Sequence, residues 1–112
     1  MSISFEGVGQ VCATFWGESL TEGHVVKITE NGTVGPCATG EAFCGVVLRA
    51  AGDACAVQVS GFVTVGYSGD APALGRVCLA ADGNGGVKSA GDGVACLAAD
   101  VDTTAKTVTI LL

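Results

Sequence analysis

Cys55-Ala56-Val57-Gln58-Val59-Ser60 reads as a β-strand, with Cys55, Val57 and Val59 on one face and polar or small residues between them. Period-two alternation fits a pleated strand and not a helix. Short β-branched runs of the same kind recur at Val25 to Thr29, Cys44 to Leu48, Phe62 to Val65, Arg76 to Ala80, Val94 to Ala98 and Thr107 to Leu111. Gly9 to Phe15 adds an N-terminal strand or arm. Glycines interrupt the chain every few residues, so no long 3.6-residue apolar period survives. About eight strands at roughly ten-residue spacing predict an all-β fold, a small single-domain barrel or sandwich.

Turn chemistry punctuates these runs. Glu30-Asn31-Gly32-Thr33 predicts a hairpin with a type I′ turn, because Asn-Gly readily takes positive φ angles. Asp82-Gly83-Asn84-Gly85-Gly86 is a longer glycine-rich loop, Asp92-Gly93 a further turn, and Gly69-Asp70-Ala71-Pro72 closes the middle of the chain. Pro36 and Pro72 are both expected outside the strands, since proline has no N–H for a ladder.

The chain also echoes itself. Gly23-His24-Val25 opens a stretch running through Gly45-Val46-Val47-Leu48 and Ala50-Ala51 to Val57-Gln58-Val59. Gly75-Arg76-Val77 opens a second, running through Gly93-Val94-Ala95-Cys96 and Ala98-Ala99 to Val108-Thr109-Ile110. The expected organisation is an arm or first strand at 1–19 and a barrel domain at 20–112, with half-repeats at 23–60 and 75–111 joined by Phe62 to Leu74. Chance recurrence in a Gly/Ala/Val-rich chain is the competing explanation.

Composition limits what such a domain can do. The 112 residues fit one domain. Alanine and valine occur 16 times each and glycine 18 times, while six aromatics supply the only large volumes, so the core is expected to be thin. Extra stability from subunit contacts then follows naturally. The formal charge is −6, and Lys27, Arg49, Arg76, Lys88 and Lys106 are scattered. Phosphate binding and anionic lipid both call for clustered cations, so neither a nucleic acid nor a membrane is expected as a partner. The start, Met1-Ser2-Ile3-Ser4-Phe5-Glu6, has no basic region followed by an apolar run, and no window is apolar enough to span a bilayer.

The six cysteines, at 12, 37, 44, 55, 78 and 96, show no two-residue metal or redox spacing. Most sit in apolar strand runs, and reduced, buried thiols are expected rather than a disulfide framework. His24 is the only histidine, and no serine, cysteine and carboxylate gather around it in sequence, so it reads as a solvent-facing strand residue. The Asp82 loop matches a calcium loop at its first and third positions but has Gly86 and Gly93 at the fifth and twelfth. Asp100-Val101-Asp102 reads as a solvated turn before the last strand. No catalytic residue, cofactor or metal is expected. Phe15-Trp16 is different in kind: two adjacent large aromatics form either a plug of the core or an anchor for a subunit interface.

The runs Leu20-Thr21-Glu22-Gly23-His24-Val25-Val26, Gly40-Glu41-Ala42-Phe43-Cys44-Gly45-Val46-Val47 and Ala54-Cys55-Ala56-Val57-Gln58-Val59-Ser60-Gly61 resemble the small head-decoration proteins of tailed bacteriophages and prophages. The resemblance continues through Gly75-Arg76-Val77 and Thr107-Val108-Thr109-Ile110, covers 20–112, and departs over the first 19 residues. It implies a compact β-barrel without enzyme activity, often a trimer, that binds the major capsid protein or another virion protein and stabilises the shell. The virion, and the bacterial host cytoplasm during assembly, would then be its location. A carbohydrate- or small-ligand-binding β-module, with Phe15, Trp16 and Tyr67 as a stacking surface, is the other class of function the sequence allows.

Overall fold

The computed structural model describes residues 8–112. They form ten strands and, among the described residues, no helix: β1 (Val11–Trp16), β2 (Val25–Glu30), β3 (Thr33–Pro36), β4 (Gly45–Ala51), β5 (Ala54–Ser60), β6 (Phe62–Gly66), β7 (Gly75–Ala81), β8 (Val87–Ser89), β9 (Val94–Asp102) and β10 (Thr107–Leu111). The fold is all-β, as expected, with two more strands than the sequence runs announced. Both extra strands, β3 and β8, are too short to carry a pattern of their own. Pro36 is the last residue of β3, at a strand end where a missing N–H costs no interior ladder bond. Of the segment expected as an arm, residues 1–7 lie outside the described residues.

The strands form two five-stranded sheets of one plan. The first is a closed barrel in the order β1-β3-β2-β4-β5, and the second runs β6-β10-β9-β7-β8. In each, a leading strand pairs antiparallel with the fifth strand of its half, and hairpins join the second to third and fourth to fifth strands. In each, one parallel pair joins the end of the leading segment to the third strand: Trp16–Thr33 in the first sheet, and in the second Tyr67, just past β6, with Val87. A bulge recurs in the fourth–fifth hairpin: Leu48 lacks a partner between Val47–Val57 and Arg49–Ala56, and Ala99 between Ala98–Ile110 and Asp100–Thr109. The register thus sets Leu48, not Ala51, against Ala99, and Phe62 to Leu74 begins as the leading strand β6 rather than as a joining segment.

Two turns show how local chemistry yields to the sheet. At Asn31-Gly32 only Gly32 has a positive φ, 67°, so the hairpin is not type I′. An unprimed turn mismatches the strand twist, and a bulge at Thr29 beside it absorbs the difference. Asp100 and Asp102 lie on β9 instead of in a turn, and the turn follows, with the Asp102 carboxylate accepting from the Thr104 and Ala105 N–H groups.

The packing is less symmetric than the topology. Inside the first barrel, Val26, Val34, Val47, Cys55 and Val57 are buried, with Phe15, Leu20, Cys44, Ala50 and Val59 packed against them. The larger core fills the second sheet with residues such as Leu79, Cys96, Val108 and Ile110, and extends to Val25, Phe43 and Val46. Val25 pairs with Val46, and Val46 with Gln58, so these three share the first barrel's outer face. That face closes the second sheet. Gln58 is buried there, donating to the Ser60 and Phe62 carbonyls and accepting from Gln10. Main-chain bonds stitch the same seam: Val25 N–H to Gly85 O at 2.9 Å, Gly40 N–H to Ala81 O at 2.8 Å, and Ala81 N–H to Glu41 O at 3.0 Å. Gly85 lies so close to the His24 ring that a Cβ would stand 2.3 Å from it, which explains a glycine-rich loop at this place.

Candidate functional site

Phe15 and Trp16 sit on β1, and strand geometry sends neighbouring side chains to opposite faces. Phe15 turns inward onto the first barrel's core, while Trp16 turns outward and stays 60% exposed. The pair is therefore half plug and half surface. The Trp16 N–H donates to Gly32 O at 2.8 Å, which ties the end of β1 to the β2–β3 turn. On one side of the indole a groove of about 370 Å³ is lined by Thr14, Phe15, Trp16, Asn31, Gly32 and Ala54. A second hollow at Trp16 carries Glu18, Glu30 and Asp53. Trp16 thus lines both a mostly apolar groove and an acidic hollow.

Tyr67 is elsewhere. It is 7% exposed, belongs to the second core, and sits under the Lys106 ammonium, 6.0 Å from the ring centre. The three-aromatic stacking surface does not exist, because the parallel bridge to Val87 turns Tyr67 into the second sheet.

His24 is exposed and lines a cleft of about 280 Å³ between the two sheets, with Ser19, Cys37 and Asn84 among its neighbours. The Asp82 carboxylate is occupied by its own loop, accepting from Ser68 Oγ at 2.6 Å, Asn84 N–H at 2.7 Å and Gly86 N–H at 3.0 Å. Burial pushes this carboxyl up, but the hydrogen bonds outweigh it and hold the group below its ordinary range. It serves as a loop anchor.

All six cysteines are free thiols: Cys55 and Cys96 are buried, Cys37, Cys44 and Cys78 half-buried, and Cys12 exposed on β1. Burial, with Glu41 nearby, pushes the Cys37 thiol up to about 11, and burial also raises Cys44, Cys55 and Cys96. Such thiols carry little thiolate near neutrality and are poor nucleophiles. Lys27 pairs with Glu41 at 2.5 Å, and that bond, helped by the Ala38 N–H, lowers the Glu41 carboxyl. Among the described residues no three metal-ligating side chains gather.

Ile28 was not singled out from sequence. It lies on β2 inside an alternating run, yet it is 56% exposed. Its signal was the parity with Val26, which promised burial, and although it pairs with buried Val34 it stays exposed. Comparison with known protein families and with curated proteins returns no match.

Proposed function

We propose that this chain is a non-enzymatic structural protein of a tailed phage or prophage, a capsid decoration protein that binds and stabilises the head lattice. It would act in the virion, as a homo-oligomer with a trimer favoured, against the major capsid protein or another virion protein. The observation that carries the reading is the exposed Trp16, standing beside a mostly apolar groove on the first barrel. Exposed tryptophans are anchor residues of protein interfaces. The fold is also the β-barrel that the resemblance implies. The test is co-sedimentation of the purified chain with undecorated phage shells, followed by thermal disruption of those shells. Saturable binding that raises the disruption temperature is the expected result, and shells neither bound nor stabilised at micromolar chain would overturn the proposal.

A second reading is a carbohydrate- or small-ligand-binding module, favoured by one observation: the groove sets an indole beside the Asn31 amide. Sugars use such pairs, the ring for their apolar face and the amide for a hydroxyl. Trp16 is the only tryptophan, so its fluorescence reads the groove directly. Saturable quenching by oligosaccharides would favour this reading, and an unchanged signal across a broad glycan panel would remove it.

A further inference from the structure

The two halves set an aromatic at the same place and surround it with opposite charge. Trp16 bridges Thr33 and Tyr67 bridges Val87, so each aromatic ends the leading segment of its half. The residue just before the fifth strand reaches that place through its carbonyl. Asp53, before β5, accepts from the Gly17 N–H next to Trp16 at 2.9 Å, and Lys106, before β10, accepts from the Tyr67 N–H at 3.0 Å. Asp53 and Lys106 are therefore counterparts. In the second half the counterpart is a cation, and its ammonium stands 6.0 Å from the Tyr67 ring centre. A ring face attracts a cation at that range. In the first half the counterpart is an anion, and Trp16 is 60% exposed.

Two further carboxylates join Asp53. Glu18 follows β1 and Glu30 ends β2, and with Asp53 and Trp16 they line one hollow of about 500 Å³. Among the described residues no Lys, Arg or His lines this hollow, and the sequence of residues 1–7 contains none. No hydrogen bond or ion pair engages the three carboxylates among the described residues, whereas Lys27 holds Glu41 and loop N–H groups hold Asp82 and Asp102. The mostly apolar groove that Trp16 also lines adjoins them through the same indole.

Such a surface selects its partner's charge. Three exposed carboxylates attract a cation only weakly in water, but a partner that covers the hollow excludes water and strengthens the attraction. Arginine suits the place better than lysine. Its planar guanidinium stacks on an aromatic face, and its fork of N–H donors can meet more than one carboxylate.

We propose that Trp16 and the hollow of Glu18, Glu30 and Asp53 receive an arginine side chain of the partner protein, its guanidinium over the indole and its N–H groups on the carboxylates. An apolar side chain next to that arginine fills the groove. The contact supplies from outside the cation that Lys106 supplies to Tyr67 from within. It rests on the assembly reading above, to which it gives the chemistry of the partner.

The test uses Trp16 emission, since this is the only tryptophan. Three synthetic peptides are titrated into the full chain: acetyl-Val-Arg-Val-Arg-Val-amide and its counterparts with lysine or with uncharged citrulline in place of arginine. The arginine peptide is expected to change the emission saturably, the lysine peptide to bind more weakly, and the citrulline peptide to lose about tenfold or more in affinity. Raised salt should weaken the arginine peptide and leave the citrulline peptide unchanged. The Glu18→Gln/Glu30→Gln/Asp53→Asn variant, with far-UV circular dichroism as the control for folding, should lose the preference for arginine. Equal binding of the arginine and citrulline peptides to the wild-type chain overturns the inference, as does a folded variant that keeps the preference or an arginine peptide without effect at millimolar concentration. Co-sedimentation with shells separates the two proposals. Shells that bind wild type and variant equally sink only the arginine contact, and a chain that answers the arginine peptide but ignores shells sinks only the capsid reading.

Discussion

The two halves of this molecule share a strand plan and differ in what covers them. The second sheet is closed by Val25, Phe43 and Val46 from its neighbour, and its leading strand β6 buries Val63 and Val65. Among the described residues the first barrel receives no such cover on β1, where Ala13 and Thr14 are exposed and Phe15 turns onto a core. Equal topology therefore does not mean equal burial. The outer face of the first barrel became part of the second sheet's core. The loops differ in the same sense. The second half holds its β7–β8 loop with the Asp82 carboxylate, whereas the equivalent β2–β3 connection is a two-residue turn.

This contrast can be broken by substitutions made in pairs. Leu79→Ala empties a fully buried site in the larger core and is expected to lower unfolding free energy by about 3 kcal/mol. Phe15→Ala removes a larger side chain from a half-buried site and should cost less; urea midpoints showing equal losses would end the claim that the halves differ. Glycines test the shared plan. A Cβ at Gly45 would stand 2.4 Å from Gln58 O, and one at Gly93 2.4 Å from Leu79 O. Neither backbone oxygen can swing away, so Gly45→Ala and Gly93→Ala should each cost about 2 kcal/mol, measured by thermal melts.

Asp82→Ala should cost about 1–2 kcal/mol at neutral pH through three lost hydrogen bonds. Its folded-state carboxyl titrates below the unfolded one, so that stabilisation is complete above about pH 4 and is lost as pH falls through the folded value. The gap between wild type and variant should therefore narrow from pH 7 to pH 3, and a constant gap would show that Asp82 does not anchor the loop as a carboxylate. The smallest effect belongs to Trp16→Ala. An exposed indole contributes little to folding, so the melting curve should move by no more than about 0.5 kcal/mol equivalent while any partner binding falls sharply.

Much of the architecture was legible because strands with one buried face repeat every second residue. Cys55 and Val57 on one face, the hairpin at Asn31-Gly32 and the eight longer runs all follow from that rule. β3 and β8 were not legible: Thr33–Pro36 holds a glycine and a proline, and Val87–Ser89 is three residues long. They are strands because β2 and β7 present ladders to them. The internal echo was visible in outline, but interchangeable alanines and valines hid its register, which only the bulges at Leu48 and Ala99 fix. At the candidate site, the parity of β1 already separated Phe15 from Trp16, whereas the removal of Tyr67 depended on a bridge between residues distant in sequence.

The sequence by itself determined an all-β chain of short strands, rich in small residues, acidic, and with cysteines placed as small hydrophobes. Those properties depend on local periodicity and composition, which no tertiary contact can alter. The tertiary structure alone decided that the outer face of the first barrel would join the core of the second sheet, and that Trp16 would stand exposed on β1. Exposure is a property of what packs against a residue, and the packing partners of β1 lie dozens of positions away along the chain.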